Sequence, residues 1–390
     1  MERYYLYELV KKGRRFVLKI AIIASESSSL INFRGNLIKE FIKNDLQVTL
    51  ITPIFEHSEK MNLLNFFENK VHISAWSLKR GSTNIWTNCI SLFSLLLILI
   101  KLRPSKVLMY TMQPVLYGNL LLKTFFRSTS RYSLITGLGY LFQNKENNFI
   151  NKVAKRLLRH SLLNSNNIIF QNKDDLDIFM QQQIIKSNSN FSVISGSGVD
   201  MSKFLYLPPL NREPSFIFVG RYLKSKGLRE FLFSAKRIKA LHPQTRFSIA
   251  GWPDIHNPDH LDNEFVNNAC TKFGVHNYGR VSDINKVLSE HNIFVLPSYR
   301  EGIPRSTLEA MSIGRAIITV NSPGCKETVI DGFNGYIAKV RSINSLTEKM
   351  MEFIENPDLI LRMGKNSRKV IEDRFDDRKV NARMLTFLDL

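Results

Sequence analysis

Short, nearly uninterrupted apolar runs recur along the chain, each followed by a polar loop and most then by a stretch with helical spacing. The runs at 16–24, 47–52, 71–74, 106–111, 131–135, 167–171 and 191–194 predict strands of one alternating region. A second region begins at 216–219 and continues through 246–250, 275–278, 293–296, 316–320 and a strand centred on Ile337. Helices are expected at 32–43, 151–163, 227–241, 283–291, 345–356, 359–374 and 377–388. Apolar strands separated by helices imply an α/β chain of doubly wound parallel sheets. Residues 205–215, LYLPPLNREPS, carry prolines and no periodic pattern, which marks a linker. The expected domains are therefore 1–207, opening with a basic extension at 1–15, and 208–375, with a last helix at 376–390 returning to the first domain. The most apolar run, ISLFSLLLILI at 90–100, is closed by Lys101 and Arg103 well short of a membrane span, and reads as a buried helix.

Ligands of doubly wound sheets sit beyond the carboxyl ends of the strands, so the loops there carry the candidate chemistry. In the first region the loop 25–29 is rich in hydroxyls, including Ser28 and Ser29, and Arg34 follows near the expected helix start. Arg34 suits a phosphate or carboxylate, or is a plain surface arginine. Thr136 and Gly137 place flexible backbone after another strand. In the second region a strand ends in Gly220-Arg221, and Lys226-Gly227 opens a helix, so two cations and a helix start can converge on a diphosphate. The richest stretch is 293–331. Its strand ends at Pro297-Ser298, then Glu301-Gly302-Ile303-Pro304 leads into a helix with Pro304 at the first helical position and Glu309 about two turns along. A carboxylate beside an anion site makes sense for a ligand that is part anionic and part hydroxyl-rich, as a sugar nucleotide is. The plainer alternative makes Glu301 a helix cap and Glu309 solvated surface.

Charge narrows the partners. The 390 residues carry 54 Lys and Arg against 34 Asp and Glu, net +20, and residues 1–200 alone hold 26 basic and 13 acidic side chains. Nucleic acid, anionic lipid or a phosphorylated substrate would each account for this. No helix-turn-helix or aromatic RNA-binding signature accompanies it, so nucleic acid is not an expected partner. Lys152, Lys155, Arg156 and Arg159 share one face of a helix, either a solvated stripe or a contact for an anionic membrane surface. Cys89, Cys270 and Cys325 lack paired spacing, which fits a reducing compartment. Pro258 between His256 and His260 argues against a metal pair, and no metal or cofactor is expected. Lys19 interrupts the first apolar run, against a signal peptide.

Together VGRYLKSKG at 219–227, IAGWPD at 249–254, YGRVSDI at 278–284, SYREGIPRSTLEAMSIGRAII at 298–318 and PGCKETVIDGFNGYI at 323–337 resemble the retaining sugar-nucleotide glycosyltransferases of family 4. SLINFRGNLIKEFI, IFQNKDDLDIF and SGSGVDMSKF resemble the subgroup that builds bacterial capsule, O-antigen and lipid-linked glycans. The resemblance implies a GT-B fold, two Rossmann-like domains facing a central cleft. It implies a UDP-sugar donor, and a polyprenyl-diphosphate-linked saccharide as acceptor. It also implies a cytoplasmic enzyme peripheral to the inner face of the plasma membrane. By position, Glu301 contacts the transferred sugar and Glu309 the donor ribose. Arg221 and Lys226 hold the diphosphate with backbone around Gly302, Ile303 and Pro304, Gly220 borders the donor, and the base lies near Arg280 and Val281. Two departures stand out: Ser27-Ser28-Ser29 replaces paired glycines, and Thr136 stands where a histidine is common. A sugar-nucleotide 2-epimerase and a catalytically silent sugar-binding protein are the alternatives on the same fold.

Overall fold

The computed structural model describes residues 18–82, 84–138, 149–209, 213–255, 257 and 259–390. The basic extension at 1–15 and His256 with Pro258 lie outside the described residues. The chain forms two compact units, one of residues up to Ile169 with Phe179–Ser192, the other of Phe170–Ile178 with Val193–Leu390. Composition placed the division at 207/208 and sent the last helix to the first domain. The contacts instead group 193–207 and 376–390 with the second unit, where Val199 N–H donates to the Phe375 carbonyl and Leu207 N–H to that of Ile313.

The first unit is built on strands β1 (Lys19–Ile23), β2 (Gln47–Thr52), β3 (His72–Ala75), β4 (Lys106–Tyr110), β5 (Ser130–Ile135), β6 (Asn167–Phe170) and β7 (Phe191–Val193). Their order across the sheet is β3-β2-β1-β4-β5-β6-β7. Ile22 pairs with Leu50 on one side and Leu108 on the other, all buried, because helices cover both faces of a parallel sheet. Its helices are α1 (Ser27–Lys43), α2 (His57–Phe66), α3 (Ile85–Leu102), α4 (Met112–Phe125) and α5 (Phe149–Leu162), while α6 (Lys173–Gln181) begins in the segment that groups with the second unit.

Two expectations change here. Helix α1 starts at Ser27 rather than near Asn32, so Ser28 and Ser29 lie in its first turn and not in a loop. Serine tolerates that place because its hydroxyl satisfies backbone locally: Ser29 Oγ donates to the Glu26 carbonyl at 2.6 Å. Helix α3 is not buried. Only Ser91, Leu95 and Leu99, spaced four apart on one line, are covered, and the other apolar residues of 90–100 face outward or lie half-buried.

The second unit holds β8 (Ser215–Val219), β9 (Arg246–Ala250), β10 (His276–Asn277), β11 (Ile293–Leu296), β12 (Ala316–Val320) and β13 (Gly335–Ala338), ordered β10-β9-β8-β11-β12-β13. Every residue of β11 and β12 is buried, as the unbroken runs IFVL and AIITV require. Around them lie α7 (Leu228–Leu241), α8 (Asn263–Phe273), α9 (Ile284–Ser289), α10 (Arg305–Ile313), α11 (Ile343–Glu355), α12 (Asp358–Val370) and α13 (Asp377–Phe387). In each sheet the strand order reverses once, between β1 and β4 and between β8 and β11. Such a reversal opens a crevice at the carboxyl edge.

Candidate active site

The reversal in the second unit sets the loop after β8 against the loop after β11. Tyr299 N–H donates to the Ser225 carbonyl at 2.8 Å, and Ser298 Oγ donates to the same oxygen at 3.2 Å. Gly227, at φ +73°, makes this approach possible: a Cβ there would stand 2.2 Å from the Pro297 carbonyl oxygen. Lys226, in a 3₁₀ turn of Lys224–Lys226, is thereby delivered to Glu301, and its Nζ forms an ion pair with Glu301 Oε1. Both side chains are largely covered, so the pair is shielded from water.

The Glu301 loop is braced from two further directions. Glu301 N–H donates to the Pro323 carbonyl at 2.9 Å, and Gly324, at φ +79°, presses so close that a Cβ would lie 2.3 Å from the Gly302 oxygen. From the other side Asn172 Nδ2 donates to the carbonyls of Glu301 at 3.3 Å and Gly302 at 3.0 Å. The neighbouring Arg300 forms an ion pair with the fully buried Asp175. Burial pushes the Asp175 carboxyl up and the Arg300 guanidinium pulls it down, with the upward effect larger.

Helix α10 opens directly after Gly302 and Ile303. Pro304 is its N-cap, one place earlier than expected, and no side chain caps the end. Thr307 N–H donates to the Pro304 carbonyl at 3.2 Å, and the N–H groups ahead of it point positive charge toward the loop. Glu309 sits in the second turn, where Arg305 Nε donates to its Oε1 at 2.9 Å. Burial raises the Glu309 pKa against the lowering pull of Arg305.

Arg221 leaves β8 beside Gly220, whose N–H donates to the Ala250 carbonyl at 3.0 Å. The Arg221 Nη1 meets Asp254 Oδ2 at 2.5 Å. Both cations of the expected diphosphate clamp thus have carboxylate partners, Asp254 for Arg221 and Glu301 for Lys226. Arg280 lies with its guanidinium 5.1 Å from the centre of the Trp252 ring, next to the half-buried Val281. This cation–aromatic pair presents a flat surface suited to a nucleobase.

A second acidic group borders the site. Lys326 Nζ reaches Asp174 Oδ1 at 2.9 Å. Next to it, burial first, and then the hydrogen bond that the protonated Glu327 carboxyl donates to Asp174, push Glu327 up to about 7. Burial pushes the Cys325 thiol up to about 12, so it stays protonated and apolar near neutral pH.

In the first unit, Ser29 and Arg34 gather on Tyr110 at the end of β4. The Ser29 and Tyr110 hydroxyls are 2.8 Å apart, and the buried Arg34 guanidinium lies 5.4 Å from the Tyr110 ring centre. Arg34 is therefore not a plain surface arginine. Ser28 turns away to Glu26, at 2.8 Å. Thr136 and Gly137 leave β5, the strand beyond β4, and among the described residues nothing lies within 4 Å of the place a Gly137 Cβ would occupy.

Sequence reasoning did not single out Asn172, Asp174, Asp175, Trp252, Asp254, Arg300 or Tyr110. Trp252 and Asp254 lie in IAGWPD, just past a strand end, which is a usable signal. Asn172, Asp174 and Asp175 lie in IFQNKDDLDIF, but the partners of Asn172 and Asp175 are more than a hundred residues away in sequence, so the motif does not tell what they meet.

Residues 207–370 match the family model described as Glycosyl transferases group 1. The chain is 28% identical to the N,N'-diacetylbacillosaminyl-diphospho-undecaprenol alpha-1,3-N-acetylgalactosaminyltransferase of Campylobacter jejuni, over 95% of this chain and 98% of that protein. It is 27% identical to the UDP-Gal:alpha-D-GlcNAc-diphosphoundecaprenol alpha-1,3-galactosyltransferase of Escherichia coli, over 61% of this chain and 64% of that one. Among solved structures, sucrose-phosphate synthase from Thermosynechococcus elongatus superimposes with a TM-score of 0.77 at 16% identity, covering 95% of this chain and 98% of its own. Anabaena HepE in complex with UDP gives 0.74 at 14% identity, covering 96% and 100%. The paired parallel sheets and these structural likenesses agree on a GT-B fold, and its second unit carries the match to the Glycosyl transferases group 1 model over residues 207–370.

Proposed function

We propose that the protein is a retaining, metal-independent glycosyltransferase. It moves an N-acetylhexosamine or hexose from a UDP-sugar to a polyprenyl-diphosphate-linked saccharide in bacterial surface polysaccharide synthesis. The observation that carries this reading is the Lys226–Glu301 pair, held beside the uncapped start of α10. An incoming diphosphate competes for Lys226 and Arg221, which releases Glu301 to accept hydrogen bonds from sugar hydroxyls. As the sugar–phosphate bond breaks, negative charge grows on the departing oxygen. Arg221, Lys226 and the α10 N–H groups stabilise it there, in the role a metal ion plays elsewhere. The departing phosphate oxygen takes the proton of the acceptor hydroxyl on the same face of the sugar, which keeps the anomeric configuration. Uridine stacks at Arg280 and Trp252, and Glu309 accepts from the ribose hydroxyls. Beyond the donor itself the reaction takes no cofactor.

A lipid-linked acceptor stays in the bilayer, so the enzyme works at the cytoplasmic membrane surface. The relatives from Campylobacter jejuni and Escherichia coli, both named for undecaprenyl-diphosphate-linked substrates, support this choice of acceptor. Incubating the protein with radiolabelled UDP-sugars and bacterial membranes tests the reading. Label in the lipid extract is expected. Label in an epimerised nucleotide makes the protein a 2-epimerase, and unaltered donor makes it a sugar-binding protein.

A further inference from the structure

Helix α3 is an apolar surface without a cover. Of its 18 residues only Ser91, Leu95 and Leu99 are buried, and its one charged side chain is Lys101. Trp86 (76% exposed), Ile90 (59%), Phe93 (62%), Leu97 (51%) and Ile100 (49%) recur every three or four residues. They form a single outward stripe along most of the helix, about 21 Å long at the helical rise. Exposed apolar patches of this extent mark a contact with something else.

The helix is fastened to its unit rather than loosely attached. Asn84 caps it, accepting from the Trp86 and Thr87 N–H groups. Trp76 Nε1 donates to the Ser91 carbonyl at 2.8 Å, and Ser91 Oγ donates back to the Ser77 carbonyl at 2.7 Å. Buried Leu95 and Leu99 continue this attachment past the hydrogen bonds, so the helix lies along its unit with one face outward.

Charge identifies what covers it. Between residues 69 and 173 the sequence has 15 Lys and Arg and one acidic residue, Glu146. Exposed Lys79 and Arg80 precede the stripe, and exposed Lys101 and Arg103 follow it. Helix α4 packs against both α3 and α5, so the exposed Lys152, Arg156 and Arg159 of α5 belong to the same row of helices. A second copy of this chain would bring one acid-poor rim against another. A bilayer with anionic headgroups offers acyl chains to the stripe and phosphates to the cations at once.

We propose that α3 is an in-plane membrane anchor, its Trp86–Ile100 stripe seated among the acyl chains of an anionic bilayer. The proposal deepens the membrane-surface part of the function above and rests on that reading for its purpose. The anchoring cations are spread over the row of helices, with the apolar stripe as their second component. Binding should therefore survive salt that screens surface charge.

Cys89 makes the test direct. It is exposed beside Ile90 on α3, whereas Cys270 and Cys325 are buried. An environment-sensitive fluorophore on Cys89 of the full chain should shift to the blue on addition of phosphatidylglycerol–phosphatidylcholine vesicles, and should become shielded from iodide. The combined variant Ile90→Ser, Phe93→Ser, Leu97→Ser changes only exposed side chains. It should keep its Tm and UDP affinity while vesicle partitioning falls by about tenfold or more. A label that stays in water while the protein sediments with vesicles overturns the proposal, and so does unchanged partitioning of the variant. A lipid-free dimer that the variant dissolves also overturns it, since the stripe then serves a second copy. Transfer to a polyprenyl-diphosphate acceptor in detergent should persist in the variant. Its absence from the wild-type protein would overturn the acceptor reading while leaving the anchor result intact.

Discussion

Lys226 and Arg221 carry the residue-scale argument, because each is a preorganised positive charge already facing a carboxylate. Arg221→Ala and Lys226→Ala are each expected to lower turnover by roughly a hundredfold or more at saturating donor while the fold persists. Near-normal rates in both variants would place the diphosphate elsewhere. Their partners divide differently. Glu309 is half-buried against Arg305 in the second turn of α10, whereas Glu301 lies in the loop and pairs with a cation from another loop. Glu309→Gln should chiefly weaken UDP binding, and Glu301→Ala should chiefly slow the chemical step. Titration calorimetry with UDP alone separates them, since equal losses of affinity would contradict the division. The pair Glu301 and Glu309 was legible in the sequence as carboxylates around a helix start. Their cationic partners were not: that Lys226 would meet Glu301 and Arg221 would meet Asp254 depends on strand order, which a pattern of runs does not encode.

Among the elements, strands were more legible than helices. The runs IFVL and AIITV are buried on both faces, so their apolar continuity alone located β11 and β12. Helices α2, α4 and α8 were not anticipated, and α2 shows why: only Leu63 of its ten residues is buried, so it carries no apolar stripe to read. Helix α3 failed in the opposite sense, since an apolar run was equated with burial. The segment Asn172–Asp175 at the start of α6 acts at this scale too, because it ties the Glu301 loop and the turn at Lys326 to one helix start. Glu327 in that turn is held with a pKa of about 7 against an ordinary 4.5. The folded protein then binds more protons than the unfolded chain between those values, so this group's contribution to stability is full at lower pH and is lost as pH rises toward 7. The buried His291, lowered to about 4, works against it, favouring stability as pH rises from 4 to 6.5. Glu327→Gln removes only the first effect. Thermal melts from pH 5 to 7.5 should show Tm falling more steeply, or rising less, in the wild type than in the variant. Parallel curves would mean that Glu327 titrates normally.

At the scale of the whole molecule, two parallel sheets follow from the alternation of runs, the one reversal of strand order in each does not, and the linker composition points to two domains. What the sequence left open was the grouping of 170–178 with the second unit, which rests on long-range contacts of Asn172, Asp174 and Asp175. The account's central claim is that this molecule transfers a sugar from UDP to a polyprenyl-diphosphate-linked saccharide through protein cations, with configuration retained. Purified protein, a defined polyprenyl-diphosphate-linked acceptor and a panel of UDP-sugars, assayed with a metal chelator present, test it most directly when the product's anomeric centre is read by NMR. The account predicts one UDP-sugar giving a lipid-linked product with the donor's anomeric configuration and an undiminished rate under chelation. An inverted product, or transfer abolished by the chelator and restored by a divalent cation, would contradict it.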